Sequence, residues 1–258
     1  MEDYKGKVVV ITGGTPGLGY ALADILGERG AHVVITARTA SKGEAVEAEL
    51  KEKGYDVKFM QQDITSEDGW KQLAFAVKGE YGQVDYLFNN AGVMLQPNAL
   101  MKTTMEDWKW IVDTNFWGSL YGLRTFSGLM FTQETGGRII TTASTAGVSA
   151  FSGWSPYSVT KTALVRLCES YQAEAIKFNL DKVKYNVSLP GVFESEIANS
   201  TLRRGEKYHN ISGDGKEMPV SQAHTESGDR LGMLTAEEVA NIVLDQIDEG
   251  RFYLLPHA

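Results

Sequence analysis

The sequence predicts an α/β fold: a single domain with a doubly wound parallel sheet of about seven strands and helices on both faces. Short apolar runs alternate with longer amphipathic stretches along the chain, as in strands joined by crossover helices. The runs are almost continuously apolar, which is typical of strands buried on both faces. A chain of 258 residues buries enough surface to fold without a disulfide or a metal.

The individual elements follow from the spacing of the apolar residues. β-Branched and apolar runs predict strands at 7–12, 31–37, 57–61, 84–89, 138–142, 183–189 and 252–255. Apolar residues at intervals of three and four predict helices at 17–30, 41–53, 66–81, 103–132, 155–179 and 235–247. Two of these helices are expected to begin at capping boxes, Thr103-x-x-Glu106 and Thr235-x-x-Glu238.

One segment, 194–232, interrupts the alternation. It contains Gly205, Gly213, Gly215 and Pro219 and has no clear period. Long loops inside a compact domain commonly serve as lids or binding segments. We therefore expect a lid or binding loop within one domain that spans residues 1–258. The alternative is a tolerated surface insertion.

Composition excludes several classes of protein. No apolar run is long enough to span a membrane, and the first residues lack the pattern of a secretory signal. The net charge of −8 disfavours nucleic acids and anionic membranes as partners. Because Cys168 is the single cysteine and no two of the four histidines have metal-ligand spacing, neither a disulfide nor a metal site is expected. A cytoplasmic protein is the expectation.

Four glycines follow the first predicted strand, in Thr12-Gly13-Gly14-Thr15-Pro16-Gly17-Leu18-Gly19. Glycines at such a place allow a tight turn and a close approach of the backbone to a pyrophosphate, while the next helix points its N-terminus at the negative charge. This strand–turn–helix context predicts a Rossmann dinucleotide site. The alternative is a glycine-rich turn without a ligand.

The spacing Thr-Gly-x-x-x-Gly-x-Gly, in a chain of this length, resembles the short-chain dehydrogenase/reductase family. Further motifs occur where that family has them, over about residues 7–195: Asn89-Asn90-Ala91-Gly92, Asn115, Ser144, Tyr157-x-x-x-Lys161 and Pro190-Gly191. Each motif is modest alone, and their order and spacing carry the resemblance. It implies a Rossmann-fold oxidoreductase that transfers a hydride.

Hydride transfer between an alcohol and a nicotinamide requires a proton partner at the oxygen. Tyr157 and Lys161 are four residues apart and share one helix face, where an ammonium is expected to lower the pKa of the phenol from about 10. The resemblance implies that Tyr157 exchanges the proton, Ser144 hydrogen-bonds the substrate oxygen and Lys161 also holds the nicotinamide ribose. It further implies that Asn115 supports a water beside Lys161. The alternative is that Tyr157 is an ordinary residue of an amphipathic helix.

The end of the second strand distinguishes the two nicotinamide cofactors. Ala37 stands where NAD-dependent relatives usually carry an aspartate, and Arg38 follows it. Without a carboxylate nothing there repels a 2′-phosphate, and a guanidinium can pair with one. We therefore expect NADP(H). The alternatives are NAD and a solvated role for Arg38, since Thr15 and Pro16 stand where some NADP-dependent relatives have a second basic residue.

The resemblance also implies the remaining contacts. Besides Arg38, Tyr157 and Lys161, the expected cofactor-binding residues are Gly13, Thr15, Gly17, Leu18, Gly19, Asp63, Ile64, Asn90, Ala91, Gly92, Pro190, Gly191, Phe193 and Ser195. The expected substrate-binding residues are Met94, Gln96, Ser144, Phe151, Trp154, Tyr157 and Phe193. Asp63 has an alternative role as a cap of the turn before Ser66. Because the substrate side is mostly large and apolar, a bulky ring-bearing alcohol or ketone is expected, for example a steroid-like one.

These expectations describe an NADP-dependent alcohol dehydrogenase or carbonyl reductase that works chiefly as a reductase. The resemblance implies a homotetramer or a homodimer. The alternative from another class is a non-catalytic NADP-binding sensor or interaction protein of the same fold. Such proteins usually lose the tyrosine or the lysine, whereas this chain has both. An epimerase, a dehydratase or an enoyl reductase fits less well, because their glycine spacing, length or Tyr–Lys separation differs.

Overall fold

The computed structural model of the chain describes residues 3–208 and 233–257. The strands in these residues are β1 (Val8–Thr12), β2 (His32–Ala37), β3 (Val57–Gln61), β4 (Tyr86–Asn89), β5 (Gly137–Thr142), β6 (Val183–Ser188) and β7 (Tyr253–Leu254). They form one sheet in the order β3-β2-β1-β4-β5-β6-β7, and every pairing is parallel. The predicted single α/β domain with a doubly wound parallel sheet is confirmed.

Helices cover both faces of this sheet. They are α1 (Gly17–Glu28), α2 (Ala40–Glu52), α3 (Glu67–Tyr81), α4 (Met105–Ile111), α5 (Gly118–Phe131), α6 (Ser155–Lys177) and α7 (Ala236–Asp248). One apolar cluster joins the sheet to α1, α2 and α7, and a second joins it to α3, α5 and α6. Within the described part of the chain, no helix is both long and apolar enough to cross a bilayer.

Strand β1 shows why its sequence is apolar without alternation. Val9 and Ile11 belong to the first cluster, whereas Val8 and Val10 belong to the second. Successive side chains of a strand point to opposite faces, so a strand covered on both faces needs an apolar residue at every position. Burial on both faces of the sheet therefore explains the apolar runs that predicted the strands.

The predicted capping box at Thr103 and Glu106 is wrong by one residue. The hydroxyl of Thr104 accepts the Asp107 N–H at 3.2 Å, and the Asp107 carboxylate accepts the Thr104 N–H at 2.9 Å. Threonine and an acidic residue occur at both pairs of positions, so the pattern alone did not fix the start of α4. The second predicted box, at the start of α7, is confirmed by reciprocal bonds of 3.1 and 2.7 Å.

The predicted continuous helix at 103–132 is also interrupted. A π-helical turn, Val112–Trp117, separates α4 from α5. Such turns admit one extra residue into a helix and are frequent at functional sites. This one contains Asn115, which was singled out in the sequence.

The described residues include only the first part of the predicted loop at 194–232. It forms two stretches of 3-10 helix, Glu196–Arg203 and Glu206–Tyr208. An ion pair between Arg204 and Asp107, both with almost fully buried side chains, fastens this part to α4. The Tyr208 hydroxyl donates to the carboxylate of Asp113 at 2.6 Å. Residues 209–232 lie outside the described residues, and the substrate-binding role of the loop stays a prediction.

Candidate active site

A cavity of about 400 Å³ opens at the carboxyl ends of the strands. It lies where the strand order reverses, between β1 and β4, which is the place where doubly wound sheets bind their ligands. Its walls come from the glycine loop, the ends of five strands, the start of α6 and the stretch Glu196–Arg203. The topology therefore gathers segments that are far apart in the sequence.

Most of the predicted site residues line this cavity. They are Gly13, Thr15, Gly17, Leu18, Arg38, Asp63, Ile64, Asn90, Ala91, Gly92, Met94, Ser144, Phe151, Trp154, Tyr157, Lys161, Pro190, Gly191, Phe193 and Ser195. Gly19, Gln96 and Asn115 are not among the lining residues. The predicted substrate contact of Gln96 therefore gains no support from the geometry and stays a prediction.

The glycine loop needs its glycines for shape. Gly13 and Gly17 have φ values of +68° and +58°, in the left-handed region that favours glycine. A Cβ on Gly19 would overlap the carbonyl oxygen of Gly13. Gly19 therefore lets α1 pack against the loop, although it does not line the cavity itself.

Asn90 fastens the glycine loop to the neighbouring strands. Its side-chain amide donates to the Thr12 carbonyl at 3.1 Å, and its side-chain oxygen accepts the Thr142 hydroxyl at 3.3 Å. The Thr12 hydroxyl in turn accepts the backbone N–H groups of Asn90 and Ala91, both at 3.0 Å. These bonds hold the ends of β1, β4 and β5 together beneath the cavity.

Ser144, Tyr157 and Lys161 meet in the middle of the cavity. The Ser144 and Tyr157 side chains are hydrogen-bonded to each other. Lys161 Nζ lies 5.5 Å from the centre of the Tyr157 ring and donates to the Thr142 carbonyl at 2.8 Å. All three side chains are buried, so proton exchange here would take place in a poorly solvated environment.

Asn115 supports this group from behind the cavity wall. Its side-chain oxygen accepts the Val93 N–H at 2.8 Å, and its amide nitrogen donates to the Val93 carbonyl at 2.9 Å. The Asn115 oxygen and Lys161 Nζ both lie 3.4 Å from where a Cβ on Gly92 would be. The fold thus brings all four residues of the predicted catalytic set together, and the role of Asn115 in holding a water stays a prediction.

Burial determines the pKa values of the central pair. It raises the pKa of Tyr157 to about 12, with only a partial offset from the Ser144 hydrogen bond. It lowers the pKa of Lys161 to about 7. The sequence predicted a lowered pKa for Tyr157, but desolvation, which disfavours the charged forms of both groups, is the largest cause of both pKa shifts. Tyr157 is therefore protonated at neutral pH, which is the form that donates a proton.

Replacing Lys161 with methionine is expected to stabilise the cofactor-free protein by about 2 kcal/mol. The pKa of Lys161 is about 7 in the folded state and 10.5 in the unfolded chain. As the pH falls from 10.5 to 7, the unfolded chain therefore gains a proton that the folded one does not, and stability declines. We expect Lys161→Met to raise Tm at pH 7 by several degrees. Thermal unfolding checks this, with exposed Lys177→Met as control, and a lower Tm for Lys161→Met would contradict it.

The far end of the cavity carries positive charge. Arg38 Nη2 donates to the Arg203 carbonyl at 3.0 Å, and the side chain of Lys42, from α2, lines the same region. Among the described lining residues only Asp63 and Glu196 are acidic, so the end of β2 has no carboxylate. Lys42 was not singled out in the sequence, where it belongs to no motif.

Asp63 has the capping role that was its alternative interpretation. Its carboxylate accepts the Thr65 N–H and the Thr65 hydroxyl, both at 2.9 Å. It also lines the cavity together with Ile64. The adenine contact predicted for Asp63 and the local cap are therefore compatible.

Gln62 is a cavity residue that the sequence reasoning missed. Its side chain is buried, and neither its amide nitrogen nor its oxygen has a hydrogen-bond partner among the described residues. A buried amide that is left unpaired is costly, and one that lines a cavity can pair with a polar ligand. The available signal was a polar residue directly after an apolar strand. Other unpredicted lining residues are Thr36, Thr39, Val93, Thr114, Thr142, Thr145, Val192, Ile197 and Ser200.

The cavity therefore fits a dinucleotide on three counts. The glycine loop lines the cavity at the start of α1, where a pyrophosphate is favoured. Gln62 offers an unpaired buried amide, and the far end is cationic. The residues present match the requirements of a phosphate-bearing cofactor.

An aromatic wall stands beside Tyr157 at the other end. The rings of Phe151 and Trp154 stack with centroids 5.2 Å apart, and Trp154 meets Tyr157 edge-on at 6.3 Å. Met94 and Ile197 pack against the same group. This side of the cavity is apolar, as the sequence predicted for the substrate side.

Comparisons with known proteins agree with this geometry. A family model described as short chain dehydrogenase matches residues 7–205. An NADP-dependent (R)-specific alcohol dehydrogenase of Lentilactobacillus kefiri is 32% identical, over 76% of this chain and 77% of that protein. A 3beta-hydroxysteroid dehydrogenase of Mediterraneibacter gnavus is 26% identical, over 97% of this chain and 92% of that protein.

A solved structure is also similar over the whole length. The short chain dehydrogenase/reductase of Burkholderia phymatum, crystallised in complex with NAD, has a TM-score of 0.90 and 29% identity, and the match covers 100% of this chain and 91% of that one. The family model spans most of the chain, and the fold and the order of motifs agree with it. The chain therefore belongs to the short-chain dehydrogenase/reductase family of oxidoreductases, which use a nicotinamide cofactor.

Proposed function

We propose that the protein transfers a hydride between NADP(H) and a secondary alcohol or ketone, and that it chiefly reduces bulky, ring-bearing carbonyl compounds. The observation that carries this proposal is the meeting of Ser144, Tyr157 and Lys161 in one buried cavity. A sensor protein of the same fold would have no need for this group. The retained residues therefore favour an enzyme.

The proposed chemistry assigns one task to each of these residues. The nicotinamide, when bound, supplies the hydride to the carbonyl carbon. Tyr157 gives its proton to the carbonyl oxygen, and its raised pKa keeps it protonated beforehand. Ser144 donates a hydrogen bond to the same oxygen and so opposes the charge that develops there. Lys161 holds the nicotinamide ribose and, through a water next to Asn115, returns a proton to Tyr157.

The proposed cofactor contacts follow the length of the cavity. The glycine loop would hold the pyrophosphate at the start of α1, and Asp63 and Ile64 would contact the adenine. The turn from Pro190 to Ser195 would contact the nicotinamide. These segments line one continuous cavity, which supports a single extended ligand.

Arg38 and Ala37 favour NADP(H) over NAD(H). A relative in this family is named as NADP-dependent, whereas the similar solved structure holds NAD, so membership alone leaves both cofactors open. The residues at the end of β2 are cationic or neutral, and a guanidinium binds a phosphate strongly. Lys42, on the same wall, adds a second positive charge.

The aromatic wall supports a ring-bearing substrate. Phe151 and Trp154 offer flat apolar surfaces next to Tyr157, which suit a ring better than a sugar or a keto acid. A relative of similar length is named as a hydroxysteroid dehydrogenase. A steroid-like alcohol or ketone is therefore a member of the proposed substrate class.

The proposed activity is tested by following the absorbance of reduced cofactor. NADPH and NADH are each mixed with steroid ketones, cyclic ketones, aromatic ketones and keto acids. We expect oxidation of NADPH with ring-bearing ketones, at rates about tenfold above those with keto acids. Binding of NADPH without turnover on any of these compounds would contradict the enzyme and favour the sensor.

The remaining proposals have separate grounds. The family resemblance supports a homotetramer or homodimer, and the composition supports a cytoplasmic location. The order of the motifs supports a single catalytic domain over residues 1–258, and the interrupted alternation supports a substrate loop at 194–232. Exposed apolar side chains on α4, on the π-helical turn and on α6, among them Met105, Trp117 and Val159, support self-association.

A further inference from the structure

The last described residue of the chain contacts the turn that follows β6. The Gly191 N–H donates to His257 Nδ1 at 3.0 Å, and His257 Nε2 lies 2.9 Å from the Val192 carbonyl oxygen. The backbone N–H of one residue and the backbone carbonyl of the next are thus both hydrogen-bonded to one imidazole ring. Both residues of the turn line the cavity, whereas His257 stands behind it.

These two bonds define the protonation state of the ring. A backbone N–H only donates, so Nδ1 must carry a lone pair. A backbone carbonyl only accepts, so Nε2 must carry the hydrogen. His257 is therefore in the neutral Nε2–H form. A second proton on Nδ1 would face the Gly191 N–H and break that bond.

The turn is shaped to admit the ring. A Cβ on Gly191 would lie 3.0 Å from the His257 ring, which is closer than side chains normally approach. The chain before His257 is also held firmly, because Gln246 of α7 bonds the Leu255 N–H at 2.5 Å and the Leu255 carbonyl at 3.2 Å. The ring consequently joins α7 to the cavity wall.

We propose that His257 is a positioning residue that, in its neutral form, holds the turn at Gly191 and Val192 in the shape that binds the nicotinamide half of the cofactor. This proposal rests on the proposed function, because it assumes that this turn contacts the nicotinamide. Protonation of the ring releases the turn and weakens cofactor binding. His257 itself touches neither cofactor nor substrate.

The surroundings of the ring determine the direction of the pH effect. Burial lowers the pKa of His257 below its usual 6.5, and the hydrogen bond to Val192 partly opposes this. Within the described residues, no charged side chain of the turn, of β7 or of α7 contributes to that pKa. The ring is therefore neutral at pH 7, and the contact is lost as the pH falls below 6.5 through the lowered pKa.

The test measures the Kd of NADPH and of NADH by fluorescence, from pH 8 to pH 5.5, for the wild type, His257→Asn and His257→Ala. Asparagine has a donor and an acceptor but does not titrate in this range. We expect His257→Asn to bind within about twofold of the wild type at pH 8 and about fivefold more tightly at pH 5.5. His257→Ala should bind about fivefold more weakly at pH 8 and equally at pH 5.5.

The cofactor's own phosphate also titrates in this pH range. Dividing the Kd of each variant by the wild-type Kd at the same pH cancels that effect. Ratios that do not change with pH would overturn the release of the turn by protonation, and a His257→Ala ratio near one at pH 8 would overturn the positioning role. If the wild type binds neither cofactor at any pH, the proposed function fails as well. A separate measurement keeps the two failures distinct: ¹⁵N NMR of the cofactor-free protein at pH 7.5 should show His257 with Nε2 protonated and Nδ1 free. The opposite tautomer would overturn the inference whatever the protein binds.

Discussion

Replacing Tyr157 with phenylalanine is expected to lower kcat about a thousandfold and to leave the Kd of NADPH within about twofold. The variant keeps the ring that packs against Trp154 and loses only the hydroxyl that would protonate the substrate oxygen. Because that proton is needed only in the reaction, the loss should fall on kcat rather than on cofactor binding. Steady-state kinetics and fluorescence titration of NADPH measure the two quantities separately.

A matched control is available on the same helix. Tyr171 also lies on α6, packs against Tyr185 and is not among the described residues that line the cavity, so Tyr171→Phe should retain nearly full activity. A Tyr157→Phe enzyme with more than about a tenth of the wild-type kcat would rule out Tyr157 as the proton donor.

Replacing Arg38 with alanine is expected to lower kcat/KM for NADPH by about fiftyfold and to leave that for NADH almost unchanged. The guanidinium lies at the cationic end of the cavity, next to Arg203, where a 2′-phosphate would pair with it. Only NADPH carries that phosphate, so the two cofactors should respond differently. Measuring kcat/KM for NADPH and for NADH, with the wild type and with the variant, gives the change in cofactor preference directly.

Arg166 supplies the control for Arg38. It is an exposed arginine of α6 that pairs with Glu169, and Arg166→Ala should leave the cofactor preference as it is. An Arg38→Ala enzyme that prefers NADPH as strongly as the wild type would refute the phosphate contact. A loss of the NADPH preference in Lys42→Ala would then show that Lys42 carries the contact instead.

The sequence could predict those helices and strands whose apolar pattern extends over several residues. Runs such as Val8–Thr12 are apolar because both faces of the sheet are covered, and all seven predicted strands are present. The π-helical turn at Val112–Trp117 could not be predicted, since one extra residue in a helix depends on packing around Asn115 rather than on a periodic pattern. The start of α4 was ambiguous because two adjacent residue pairs fit the same capping signal.

The motifs predicted most of the cavity wall, because each sits directly at the end of a strand. Residues such as Gln62, Lys42 and Arg203 lie outside any motif, and only the folded chain brings them to the cavity. The pKa values of Tyr157 and Lys161 could not be predicted from the sequence either. Spacing alone indicated that Lys161 faces Tyr157, but the burial that raises one pKa and lowers the other is a property of the whole core.

The ion pair between Arg204 and Asp107 constrains how this enzyme can be re-engineered. Exchanging the segment that contains Arg204 for a segment without an arginine at that position removes the cation that pairs with the buried Asp107 carboxylate. Breaking a buried ion pair in this way typically costs about 3–5 kcal/mol, enough to unfold a marginally stable protein. A loop graft therefore has to carry position 107 of α4 with it, so that the transferable unit is two distant pieces of chain rather than one.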